Sequence, residues 1–375
     1  MSYTQQRKKE KRALSARLPS SGKNKQYMKH EKKLISDEII ERVRRDNCFD
    51  ILRYFFALSL ILVHFCTLTD TQQFWIVSGQ MRVKAFFTIT GFLVVYSYIR
   101  RGKLSTYTQK RIRRILPAYA TVIILCILAG IFITPLTGSQ YLFSTQTLKY
   151  LLANITFLNF LQPSLPGLFP DSPVETAVNG SLWSMKYEIL FYILVPLIIA
   201  LMRRYGKKNI LIAIFATYIA FRAFLDFMEY HTGKEIYNAI STSSPTTIIY
   251  FFSGTTILLC FDWFCRHIKT VVIACVALFL AIAVMHWDFL YYVEPLAFSA
   301  IIIAIAYYCK PLNFLQHYDN ISYGLYLYHY PVIQILIRYD IHQQNITLCL
   351  ILTFVITIIL ALLSWYIIEK PLLNR

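Results

Sequence analysis

Several polar side chains interrupt apolar stretches of this chain, and their types suit acid–base and anion chemistry. The stretch from Cys48 to Cys66 carries Asp50, Arg53 and His64. Arg53 and His64 are eleven residues apart. At about 100° per residue that is roughly three helical turns, which puts both on one face with a rise of about 16 Å between them. Imidazole, with an ordinary pKa of about 6.5, suits a general base near neutrality. A guanidinium offers a planar fork of donors to a phosphate or carboxylate. The plainer assignments are an arginine whose head reaches toward the interface and a histidine bonded within a bundle.

Three further groups follow. KRIRRILP holds Arg111, Arg113 and Arg114 just before Pro117; it is either a cytoplasmic charge cluster or a site for a polyanion. NGSLWSMKYEILFYILVP holds Trp183, Lys186 and Glu188. A carboxylate there needs a partner, either Lys186 or His64. ISYGLYLYHYPV holds Ser322, Tyr323, Tyr326 and His329, where an interfacial aromatic belt is the plainer assignment. The eight cysteines are scattered without zinc-ligand or CxxC spacing, so they read as small hydrophobes and no metal site is expected. Asn154-Ile155-Thr156 and Asn345-Ile346-Thr347 match the glycosylation sequon, a weak signal.

The elements that must position these residues are apolar helices. The chain has 375 residues, 56% hydrophobic and 15% charged, against about 25% charged in soluble domains. Apolar runs of bilayer-crossing length fall at 48–66, 83–100, 115–134, 182–201, 209–226, 246–261, 268–286, 289–308, 321–339 and 346–368. The expected fold is all-α, a polytopic membrane helix bundle of about ten transmembrane helices. Net charge is +18 and unevenly placed. Residues 1–46 form a basic tail, expected to be unstructured at least up to ISDEIIERVRR. Such a tail resembles a nucleic-acid-binding arm, but on a membrane protein it marks the cytoplasmic side and meets anionic lipid, so no nucleic-acid partner is expected. Alternate loops (RRGKLSTYTQKRIRR, RRYGKK, DWFCRHIK) are basic and the others are not, which puts both termini in the cytoplasm and the long 135–181 loop outside. The first span is expected to be retained rather than cleaved as a signal peptide. Domains are therefore expected at 1–46, the tail, and 47–375, the transmembrane part.

In this order the motifs resemble the acyltransferase-3 family of bacterial membrane O-acyltransferases. The resemblance covers roughly residues 45–375. Asp50, Arg53 and His64 match its first span, and Phe86-Phe87-Thr88-Ile89-Thr90-Gly91-Phe92 matches its FFxxSGF motif. Arg111, Arg114 and Pro117 match RxxR with its proline. Trp183, Ser184, Glu188, Phe191 and Tyr192 match the W-S/T-x-x-x-E-x-x-F-Y stretch. Ser322, Tyr323, Tyr326, Leu327, His329 and Pro331 match SYxxYLxHxP, and Glu369, Lys370 and Pro371 match the terminal EKP. Tyr54 stands where the family usually has Gly, and Thr90 where it has Ser.

The resemblance implies an acyl-CoA donor, acetyl-CoA first among them, and a saccharide acceptor, cell-surface or lipid-linked, in the bacterial inner membrane. Arg53, Arg111 and Arg114 would then hold the CoA phosphates. His64 would be the catalytic base and Glu188 its orienting partner. Ser322, Tyr323 or Tyr326 would bond the oxyanion. Many members carry a C-terminal hydrolase-like domain; without it, the membrane domain is expected to complete the transfer. The rival class is a transporter or flippase of a saccharide or small anion, since buried Arg, His and Glu also suit relays. No paired broken helices in corresponding halves support that class.

The charge asymmetry predicts that a cysteine engineered near Asp171 reacts with a membrane-impermeant reagent from the outside. Reaction only from the cytoplasmic face would reverse the orientation.

Overall fold

In the computed structural model, residues 34–44, 47–71, 79–170, 172, 176–242, 244–285, 288–308 and 319–373 are described. Most of the basic tail, Cys309, His286 and the labelling position Asp171 lie outside them. All regular elements among the described residues are helical. The main ones, all in the compact unit Ile35–Arg375, are α1 (Asp37–Arg44), α2 (Phe49–Leu68), α3 (Gly79–Arg101), α4 (Leu104–Ile133), α5 (Thr145–Ile155) and α6 (Met185–Tyr205). They continue with α7 (Lys207–Thr232), α8 (Ser244–Leu259), α9 (Ile268–Met285), α10 (Glu294–Tyr308), α11 (Ser322–Arg338) and α12 (Ile346–Ser364).

Among the described residues seven helical segments are long and apolar enough to cross a bilayer: α2, α3, α4, α7, α9, Gly180–Tyr205 and Ile346–Leu373. The other three expected spans fall on α8, α10 and α11; α11, described at both ends, has 17 residues, short of the roughly 20 that a straight crossing takes. Among the residues of α7 only Leu225 is buried. Its remaining apolar surface suits contact with lipid tails.

The end of the basic tail is structured. Asp37 and Glu38 open α1, and Arg42 and Arg44 close it, in line with the helix dipole. Tyr96 Oη donates to Ile40 O (3.0 Å) and Tyr307 Oη to Val43 O (3.1 Å), which fastens α1 to α3 and α10.

Helix α2 buries Phe49, Leu52, Ala57, Ile61, Phe65 and Leu68, a stripe recurring every three to five residues. Ala57 and Ile61 pack with Leu325 and Ala361; Phe65 and Leu68 pack with Tyr330, Ile333, Leu336 and Cys349. Helices α2, α11 and α12 thereby form one cluster. It fixes the helix bearing Arg53 and His64 against the one bearing Tyr326 and His329.

Helices α3 and α8 meet through two glycines. A Cβ on Gly91 would lie 1.9 Å from Phe251 O, and one on Gly254 would lie 2.1 Å from Thr88 O. Only Gly lets the backbones approach this closely. Thr255 Oγ1 donates to Gly91 O (3.2 Å), and the Thr88 and Ser299 hydroxyls pair at 2.8 Å. The FFxxSGF-like motif is therefore in part a packing device.

The long loop enters the bundle. Helix α5 is capped by Ser144, whose Oγ accepts from Thr147 N (3.0 Å). Ser172 and residues 176–184 then run along α11 in the opposite direction. Ser172 Oγ donates to Gln334 Oε1 (3.3 Å), Gln334 Nε2 to Ala177 O (2.9 Å), Asn179 Nδ2 to Leu327 O (2.9 Å), and Tyr326 Oη to Ser181 O (2.5 Å). Irregular backbone inside a bilayer needs such partners from neighbouring protein. The sequon residue Asn154 is buried, and its amide donates to Tyr150 O (2.9 Å) and Gln162 O (3.1 Å), so it is packed rather than displayed.

After α12, Trp365–Glu369 forms a π-helical turn. Ser364 Oγ donates to Glu369 Oε1 (3.0 Å), and Lys370 Nζ to Asp319 Oδ2 (2.6 Å). The Lys370 hydrogen bond holds the Asp319 carboxyl, in the loop before α11, below its ordinary value.

Gly91→Ala should lower stability by about 1–3 kcal/mol or more, read as thermal unfolding in detergent micelles. Gly138→Ala, whose Cβ would meet nothing closer than Ile131 Cγ2 at 4.0 Å, serves as the control. Equal melting of the two variants would mean the α3–α8 crossing is not a tight contact.

Candidate active site

A cavity of about 380 Å³ gathers residues from five helices. Helix α2 gives Asp50 and Arg53, α3 gives Arg82 and Thr90, and α4 gives Arg111 and Arg114. Glu188 and Tyr192 come from α6 with Ser184 at its cap, and Ser322, Tyr323 and Tyr326 come from α11. Three of the expected donor-site arginines, the acidic residue and the three hydroxyls thus line one space. Arg113 does not line it, and neither does His64.

The arginines differ in how fully they are engaged. Arg53 donates to Asp50 Oδ1 (3.1 Å), which also accepts from Asn320 Nδ2 (2.6 Å). Arg111 donates through Nη2 to Ser97 Oγ (2.8 Å) and lies over the rings of Tyr107 and Tyr192, 5.8 and 5.3 Å from their centroids. Its Nε has no hydrogen-bond partner among the described residues. Arg114 has Glu188 and Glu369 as charged neighbours. Arg82 is buried and donates to Ser59 O (2.7 Å).

Glu188 does not meet His64. Its Oε1 accepts from Tyr192 Oη, its Oε2 has no hydrogen-bond partner among the described residues, and Arg111, Arg114 and Arg53 are its charged neighbours. Lys186, the other expected partner, lies over Phe160 instead, 4.7 Å from the ring centroid. A pairing with His64 needs Glu188 at the depth of His64. The chain before α6 already runs deep along α11, so Glu188 begins at the level of the arginines.

The hydrogen-bond partner of His64 is His329. His64 Nδ1 and His329 Nε2 are 2.7 Å apart, and the rings meet edge to edge, near parallel, with centroids 5.0 Å apart and 9° between their planes. Tyr330 closes the edge of His64 at 5.3 Å. His329 is fully buried, and its Nδ1 lies 2.9 Å from Leu325 O. The pair sits just past the inner end of the cavity. Leu60, one turn before His64, lines the cavity, and the Tyr326 ring, also lining it, is 6.4 Å from that of His329.

The three hydroxyls expected to bond an oxyanion are already committed. Tyr323 Oη donates to Ile115 O (3.1 Å), Tyr326 Oη to Ser181 O, and Ser322 Oγ to Asn320 Oδ1 (2.6 Å). Each hydroxyl has one hydrogen to give, so serving an oxyanion would cost a bond to the protein. Sequence reasoning missed Arg82. Its signal was a cation three residues into α3, a helix apolar enough to cross a bilayer.

Comparison with known proteins gives this arrangement a class. A family model described as an acyltransferase domain matches residues 46–369, a stretch that holds every residue named in the cavity. The chain belongs to the acyltransferase-3 family. It is 25% identical over 342 residues to the O-acetyl transferase of Shigella phage Sf6, covering 89% of this chain and 98% of that protein. It is 25% identical over 351 residues to Nodulation protein 10 of Rhizobium leguminosarum bv. viciae, covering 87% and 92%. It is 24% identical over 368 residues to O-acetyltransferase OatA of Staphylococcus aureus, covering 87% of this chain and 57% of that protein. No solved structure matches it. The protein is an acyltransferase and a multi-pass membrane protein.

Tyr192→Phe leaves both oxygens of a buried carboxylate without a hydrogen bond, which costs about 1–3 kcal/mol. Glu188→Gln should recover part of that loss in the Tyr192→Phe background. Melting of the two single variants and the double variant measures the coupling. Strict additivity would show that the two side chains do not act as a pair.

Proposed function

We propose that the protein is a membrane O-acyltransferase that moves an acyl group, acetyl first, from acyl-CoA to a hydroxyl of a cell-surface or lipid-linked saccharide. The observation that carries this is the arginine-lined cavity ending beside His64. CoA carries its phosphates at one end and its thioester at the other. Arg53, Arg111 and Arg114 suit the phosphate end because guanidinium groups grip phosphate oxygens with paired hydrogen bonds. About 16 Å of helix between Arg53 and His64 suits the pantetheine arm. The names of the relatives from Shigella phage Sf6 and Staphylococcus aureus support O-acetylation.

His64 takes the proton from the acceptor hydroxyl as its oxygen attacks the thioester carbon. The carbon–sulfur bond then breaks, and the imidazolium returns its proton to the departing thiolate. Positive charge at the carbonyl oxygen comes from Arg82, which lines the cavity and is a charged neighbour of His64. Glu188 balances Arg111 and Arg114 rather than orienting the base. In this reading α8, α10 and α11 also cross the membrane, both termini are cytoplasmic, and the tail over residues 1–46 meets anionic lipid.

Label from radioactive acetyl-CoA, followed onto membrane saccharide, tests the two ends of the site separately. His64→Gln should lower transfer by about 10²–10⁴-fold with CoA affinity kept. Arg111→Ala and Arg114→Ala should weaken CoA binding by about tenfold or more. Transfer by His64→Gln at near wild-type rate removes the base. Unchanged CoA affinity in both arginine variants removes the donor site.

A further inference from the structure

Among the described residues His329 hydrogen-bonds His64, and the hydrogen positions of the pair follow from chemistry alone. Leu325 O, 2.9 Å from His329 Nδ1, can only accept, so that nitrogen carries a hydrogen. In a neutral ring His329 Nε2 is then bare. It can only accept the 2.7 Å bond from His64, so His64 Nδ1 is the donor. The neutral His64 ring is left with its lone pair on Nε2.

We infer that His329 is a positioning residue for the acyl transfer: it fixes His64 as the Nδ1–H tautomer and holds its ring plane, leaving Nε2 to accept the acceptor's proton. This rests on His64 being the base. A carboxylate usually does this work for a catalytic histidine, and Glu188 is bonded elsewhere. A neutral imidazole locked by a backbone carbonyl gives the same tautomer without placing another charge in the membrane interior, where charges are costly. The near-coplanar hydrogen bond to His329 and the Tyr330 ring against His64 hold the plane of the His64 imidazole. The proton balance closes: Nε2 gains the hydroxyl proton, Nδ1–H stays bonded to His329, and the Nε2 proton leaves with the thiolate.

The test uses the full-length protein, labelled with ¹⁵N-histidine in lipid vesicles, beside transfer kinetics. His64 resonances are identified by their loss in His64→Gln. In the unsubstituted protein His64 should show a bare Nε2 and a protonated Nδ1. His329→Ala should lose that preference and lower kcat by about 10²-fold or more, with KM for acetyl-CoA within about twofold, as expected for a loss not shared with donor binding. His329→Gln keeps an acceptor for His64 and a donor for Leu325 O. It should restore both the tautomer and at least a tenth of the rate. A protonated Nε2 in the unsubstituted protein overturns the inference, as does an unaltered tautomer in His329→Ala. So does a bare Nε2 in His329→Gln without recovered rate. Near wild-type transfer by His64→Gln would instead overturn the base assignment, whatever the nitrogen shifts report.

Discussion

Four arginines face one cavity inside a lipid-embedded bundle, with only Asp50 and Glu188 among its lining carboxylates. Guanidinium groups stay charged at any accessible pH, and charge in a bilayer interior costs several kcal/mol unless it is paired or reached by water. The surrounding structure reads as the compensation. Asp50 is bonded to Arg53, Glu188 lies among Arg53, Arg111 and Arg114, and two tyrosine rings flank Arg111. An excess of positive charge remains, and an anionic ligand would complete the balance.

Packing holds these charges in register. The glycine-mediated crossing of α3 and α8 is one clamp, and the α2–α11–α12 cluster is the other. Between them, Ser172 and residues 176–184 pack along α11 and bring Ser184 and then Glu188 up to the cavity. That segment can be irregular because Gln334, the Leu327 carbonyl and Tyr326 satisfy its polar groups. The histidine pair sits beside this charged space, hydrogen-bonded through neutral groups.

Much of this was legible in the sequence. Helical periodicity put Arg53 and His64 on one helix, and the ordered motifs pointed to the residues that line the cavity. Depth was not legible. Turns counted from a loop boundary misplace Glu188, because the chain is already far inside the bundle when α6 begins. The partner of His64 was hidden for a related reason: His329 reads as one polar residue in an aromatic stretch until the packing of α2 on α11 brings the two rings edge to edge. The same limit applied to Ser322, Tyr323 and Tyr326, whose hydroxyls looked available when only their types were known. The 17-residue length of α11 was also hidden, since an apolar run shows where a helix can extend but not where it stops.

The central claim is that CoA enters this cavity phosphate-first among the arginines, with its sulfur toward the histidine pair. A cryo-electron microscopy map of the full chain in lipid nanodiscs with CoA tests it directly. The account predicts the diphosphate within hydrogen-bond reach of Arg53, Arg111 and Arg114 and the thiol end directed at His64. CoA bound outside the cavity, or with its nucleotide end beside His64, would contradict it.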